Sequence, residues 1–177
     1  MEHYLSDTLI QLGKYREMGE KAMAQISDDD FFVELSNVDN SIAIIVKHMA
    51  GNMRSRWRDF LTSDGEKDDR HRDTEFEIYD SDSKESLMQK WKEGWKVCFE
   101  AIEPLKPEDL EKTIYIRGEA HTVLEAINRQ LTHYAYHVGQ IVYLSRHFAG
   151  HNWNSLSIPK GESDNFNISK FGEIDKE

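Results

Sequence analysis

Cysteine is almost missing from this chain of 177 residues, and the single Cys98 excludes both an internal disulfide and a zinc site built from the chain's own thiolates. That usage fits a reducing compartment. Proline is scarce too, at 3 in all, and no Gly-rich or Ser-rich linker appears, so neither a second domain nor an internal repeat is expected. Long apolar runs are absent: Ile42 to Val46 is the longest, far short of the ~20 residues that span a bilayer. The start, MEHYLSDT, has neither a basic segment nor an apolar signal core. A soluble, cytoplasmic protein with no membrane partner is the expectation.

Positive charge is also in deficit. Lys plus Arg number 22 against 33 Asp plus Glu, a net charge of −11 that repels a polyphosphate backbone. The densest cationic stretch, Arg54, Arg56 and Arg58, ends in Asp59, so nucleic acid is not an expected partner. What the chain does hold is 38% hydrophobic residues, enough for one core, and 8 histidines.

Helical periodicity marks four segments. The first runs from Glu2 to Ile26 with Leu5, Leu9, Leu12, Ala22 and Met23 on one stripe, and Ser27-Asp28-Asp29-Asp30 ends it. Gly19 beside the stripe allows close helix approach. The second, Ser41 to Leu61, is capped by Asp39, Asn40 or Ser41 and buries Ile42, Ile45, Val46, Met49, Met53, Trp57 and Phe60. The third, Lys84 to Ile102, is capped by Asp82 or Ser83 and aligns Leu87, Trp91, Trp95, Cys98 and Phe99. On that face Cys98 reads as a neutral core thiol. Thr113 to Ala120 alternates and turns at Gly118, a short hairpin.

Thr122 and Glu125 form a capping box for the fourth helix, which Ala149-Gly150 stops. Four such stripes must be hidden against one another. The predicted fold is therefore all-α, a four-helix bundle over residues 1–151, with an irregular C-terminal tail over 152–177 that wraps the bundle or frays at its end. The crossover from Thr62 to Ser83 is long enough to make helices two and three parallel or to cover a site. Its charged stretch from Asp64 to Asp73 is expected in solvent.

Among the histidines, His133 and His137 sit four apart in the best-defined helix, which places their Cβ atoms roughly 5–6 Å from each other. Both fall at the edge of the apolar arc, with Gln140 beside them, and His48 with Asn52 repeats the arrangement in the second helix. Three imidazoles aimed at a common seam make an open three-nitrogen site suited to zinc, nickel or iron. The plainer alternative is a set of hydrogen-bonded rim histidines. His3, His71, His147 and His151 read as solvated, and His121 as a spare next to the helix cap.

Arg56 falls on the inward side of its helix, where it grips a carboxylate or phosphate of a substrate or, first, pairs with one of the many acids. Gln140 orients water or a ligand histidine, or is an ordinary rim amide. These two are the candidate catalytic residues.

The segments Ile42-Ala-Ile-Ile-Val-Lys-His48-Met-Ala-Gly-Asn52 and Leu131-Thr-His133-Tyr-Ala-Tyr-His137-Val-Gly-Gln140-Ile together resemble the DinB/YfiT-like four-helix metalloenzyme family, through about Gly150. The resemblance implies that His48, His133 and His137 are a metal triad completed by water, in an up-down-down-up bundle that is often a homodimer. Related proteins include S-transferases that use low-molecular-weight thiols such as bacillithiol or mycothiol, and a maleylpyruvate isomerase. The stretches Arg54 to Lys67 and Leu156 to Gly161 look like a subgroup with no assigned chemistry. The expected function is a divalent-metal-dependent, thiol-dependent S-transferase acting on a small electrophile. A metal-dependent hydrolase and a non-catalytic dimeric helical binding module are the alternatives.

Overall fold

A computed structural model describes residues 2–172. Among them are six α-helices: α1 (Glu2–Met23), α2 (Asp28–Phe32), α3 (Ile42–Trp57), α4 (Lys84–Ile102), α5 (Val123–Ala149) and α6 (Ser163–Phe171). A two-stranded antiparallel sheet, β1 (Thr113–Ile116) and β2 (Glu119–Thr122), precedes α5. The protein is thus mostly helical. No helix among the described residues is long and apolar enough to cross a membrane.

The caps explain where the long helices start. Ser41 Oγ accepts from Ile44 N at 3.3 Å to begin α3, and Ser83 Oγ accepts from Ser86 N at 3.1 Å to begin α4. Thr122 and Glu125 close the expected capping box on α5, at 3.1 and 2.7 Å. In the hairpin Arg117 (φ 55°) and Gly118 (φ 76°) both adopt the left-handed backbone that tight two-residue turns demand.

Four long helices share the core, with α3 packed on α4, α1 on α5, and further contacts from α3 to α5 and α1 to α4. Trp91, Trp95, Tyr134, Leu12, Met49 and Ile141 lie at its centre. Close approach depends on glycine at two points. A Cβ on Gly94 would lie 3.2 Å from the Ala50 Cα across the α3–α4 contact, and one on Gly19 would lie 3.1 Å from the Trp91 ring. Cys98 is fully buried, and burial pushes its thiol far up, as a core thiol requires.

Four expectations need correction. Ser27-Asp28-Asp29-Asp30 does follow the end of α1, but Ser27 then caps the short α2, whose Phe31 is completely buried. The second predicted helix stops at Trp57 rather than Leu61, because Asp59 turns left-handed (φ 50°) and its carbonyl accepts the amides of Thr62 and Ser63. The tail is irregular from Trp153 to Gly161, pinned by paired Gln25 and Asn154 hydrogen bonds. It then forms α6, with Asp164 in its first turn, Lys170 in its last and Gly172 (φ 76°) as its cap. Its final residues, 173–177, lie outside the described structure.

The fourth correction bears on function. The crossover does not simply run through solvent. Ser55 Oγ donates to Gly65 O and accepts from Lys67 N, both at 3.1 Å, which straps the segment to α3. Asp64 accepts the Arg117 and Gly118 amides at 2.8 Å, which straps it to the hairpin. The face of α3 that periodicity leaves polar is thereby covered, and His48, Asn52, Ser55 and Arg56 are all buried.

Two glycine substitutions separate close packing from backbone freedom. Gly94→Ala should cost about 1–3 kcal/mol, since Ala50 backbone and the Met53 methyl must move. Gly13→Ala, in α1 with nothing among the described residues within 4 Å, should gain about 0.5–1 kcal/mol. Urea unfolding of both variants checks the signs.

Candidate metal centre

Residues from two helices and the crossover meet at one point. The ligating atoms of His48 (α3), His133 and His137 (α5) all lie within 4.8 Å of one another. His133 Nε2 is 3.4 Å from His48 Nε2 and 3.1 Å from His137 Nε2. Three nitrogens held tetrahedrally at the 2.0–2.1 Å typical of zinc would be about 3.3 Å apart. The cluster has the dimensions of a cation's coordination shell.

Proton accounting points the same way. His48 Nδ1 donates to Glu75 Oε2 at 2.9 Å, and His137 Nδ1 donates to Gln140 Oε1 at 2.9 Å. With their protons held at Nδ1, both rings turn Nε2 lone pairs toward His133. One proton on His133 Nε2 can satisfy only one of them, and His133 Nδ1 is itself buried without a partner among the described residues. A cation between the three nitrogens resolves the surplus of lone pairs. Outer partners that fix the ring tautomer are a regular feature of histidine metal sites.

Glu75 is the residue that sequence reasoning missed. It lies in the turn Arg72–Phe76 of the crossover, a position that no helical spacing reaches. Burial alone would push its carboxyl up, but hydrogen bonds from His48 and from Arg70 outweigh that and hold it below its ordinary range. Arg70 donates through Nε at 2.8 Å and Nη2 at 2.9 Å, a bidentate pair. A Cβ on Gly51 would overlap the Glu75 carboxylate, so α3 needs a bare backbone there to admit it.

Arg56 is buried and faces Glu66 at 3.6 Å, the ion pair that sequence reasoning placed first, yet its Nε and Nη1 have no partner among the described residues. Gln140 is the outer partner of His137. Asn52 accepts from Tyr134 at 3.3 Å, and Tyr134 in turn accepts from Trp57 at 2.9 Å. His121 stays away at the hairpin, 3.9 Å from Glu119, while His3, His71, His147 and His151 are exposed.

Residues 1–162 match the profile of a family described as "Protein of unknown function (DUF1572)". The chain belongs to the DUF1572 family. DUF1572 is a DinB/YfiT-like helical family, so the resemblance noted from the two histidine segments holds at that level. No curated protein and no solved structure matches the chain.

In this DUF1572 protein burial, reinforced by the neighbouring rings, pulls His133 down to about 3 and His137 down to about 4 from an ordinary 6.5. Below pH 6.5, and down to about 4 for His137 and about 3 for His133, the rings therefore stay neutral in the folded chain while they charge in the unfolded one. Their contribution to stability is present above pH 6.5 and is lost as pH falls toward 4 and 3. Thermal unfolding of metal-free protein should show this loss, and His133→Gln should flatten the slope across that window. An unchanged slope would contradict neutral, desolvated rings.

Proposed function

We propose that this protein is a divalent-metal-dependent enzyme that transfers a low-molecular-weight thiol to a small electrophile. Its fold, on this reading, is an up-down-down-up four-helix bundle of α1, α3, α4 and α5, supported by the α3–α4 and α1–α5 pairings. The observation that carries the function is the convergence of three Nε2 atoms whose outer nitrogens are proton-filled at His48 and His137. The homodimer and the cytoplasmic location belong to the same proposal.

His48, His133 and His137 would hold the ion, with zinc, nickel and iron all suited to the donor set. When bound, the cation supplies Lewis-acid stabilisation of the anionic form of a thiol or water. The chain's residues do the rest. Glu75 and Gln140 keep protons on the outer nitrogens of His48 and His137, so the inner nitrogens remain donors. Arg70 holds Glu75 ionised in its buried position. His48 and His133 form one wall of a cavity of about 380 Å³, large enough for a small substrate.

The hydrolase reading ranks below this one for a specific reason. A hydrolase needs a group to carry protons at the reacting centre. Glu75 is already committed to His48 and Arg70, and among the described residues no carboxylate lines the cavity.

Elemental analysis of protein purified without a histidine tag should find one metal per chain, lost in His48→Ala and His133→Ala. Glu75→Gln should weaken affinity roughly 10–100-fold while leaving all three ligands in place. Gly51→Ala should act in the same direction by displacing Glu75. Turnover of an electrophile panel that requires added thiol supports transfer, whereas equal turnover without thiol would replace it with hydrolysis. Absence of stoichiometric metal would leave the helical binding module.

A further inference from the structure

The cavity beside the triad carries a charge opposite to that of the whole protein. Against a net −11, it is lined by Arg56, Arg70, Arg72, Arg117 and Arg129. No carboxylate among the described residues lines it. The nearest acids do not balance the five guanidiniums. Glu66 is shared by Arg70 at 3.2 Å, Arg117 at 3.3 Å and Arg56 at 3.6 Å, and Glu75 serves Arg70. Among the described residues Arg72 lies over the Phe76 ring at 4.9 Å and reaches no acid but the fully exposed Asp73 at 4.0 Å, and Arg129 makes no ion pair.

Arg56 gives the strongest reason to expect an anion here. Its side chain is 5% exposed, yet Nε and Nη1 have no hydrogen-bond partner among the described residues. A buried cation left with open donors is costly, because desolvation is not repaid by pairing. Burial and the nearby Arg70 and Arg129 charges together pull its guanidinium below the ordinary value, against Glu66, so an incoming anion would relieve it. A guanidinium fork matches the paired oxygens of carboxylate or phosphate.

We propose that this cavity is an oxyanion subsite, and that the substrate or thiol co-substrate carries a carboxylate or phosphate group docked on Arg56, Arg117 and Arg129. It rests on the metal-centre reading, since shared walls at His48 and His133 are what place the ligand's other end at the reacting centre. The subsite selects small anions: its volume of about 380 Å³ admits one compact molecule, and the acidic remainder of the protein repels a polymer.

The test is calorimetric titration of inorganic phosphate and of malonate, each into metal-free and metal-loaded protein at low ionic strength. Binding is expected in both forms, weakened roughly five- to tenfold by Arg117→Ala and by Arg129→Ala, two exposed positions whose loss leaves the core intact. Arg56→Lys, which keeps charge but not the fork, should weaken it further, with thermal unfolding confirming that the variant folds. Binding of phosphate alone assigns a phosphate ester, of malonate alone a dicarboxylate, and of both a general oxyanion site. No binding at millimolar concentrations, or binding indifferent to the arginine variants, overturns the subsite. Anion binding that appears only with metal and vanishes in His133→Ala places the anion on the cation and overturns it as well. A protein that binds anions through these arginines yet retains no metal defeats the metal reading instead.

Discussion

Glu75 accepts hydrogen bonds from His48 on α3 and from two nitrogens of Arg70 on the crossover, and the histidine cluster takes its geometry from that carboxylate. A buried carboxylate is tolerable only when its charge and lone pairs are answered. Here Arg70 answers the charge, and His48 answers a lone pair by giving up the freedom of its tautomer. Remove Glu75 and His48 loses the partner that turns its inner nitrogen toward α5. The crossover would lose its anchor at the same stroke.

The strap also accounts for the burial of α3, which is covered on nearly every side. An isolated amphipathic helix would leave His48, Asn52, Ser55 and Arg56 on a wet flank, where none could be pre-organised. Covering that flank lowers the local dielectric, strengthens each remaining hydrogen bond and makes each unmet donor conspicuous. The neutral rings of His133 and His137 and the open nitrogens of Arg56 come from the same desolvation.

Much of the architecture was legible in the sequence because burial of apolar stripes is a periodic requirement. The inner face of α3 from Ile42 to Trp57, the Trp91–Trp95 side of α4 and the Thr122–Glu125 cap of α5 all follow from spacing and cap chemistry. So did the proximity of His133 and His137, fixed by one helical turn, and their meeting with His48, since edge positions of neighbouring stripes face a shared seam. The short α2 and α6 were hidden by acidic or sparse sequence that reads as a break. Burial of Phe31 stabilises the first, and the second buries none of its residues.

By itself the sequence determined the four long helices, the core and the identity of three nitrogens that can share an ion, because those depend on local periodicity and on the apolar pattern. Only the tertiary structure decided what surrounds them. Glu75 reaches His48 across 27 positions of chain, Arg70 follows it inward, and Arg117 arrives from a hairpin beyond the next helix. Such contacts arise where an aperiodic segment closes over a helix, and the free energy that selects them is the cost of leaving buried charges unpaired, which no pattern along the chain encodes.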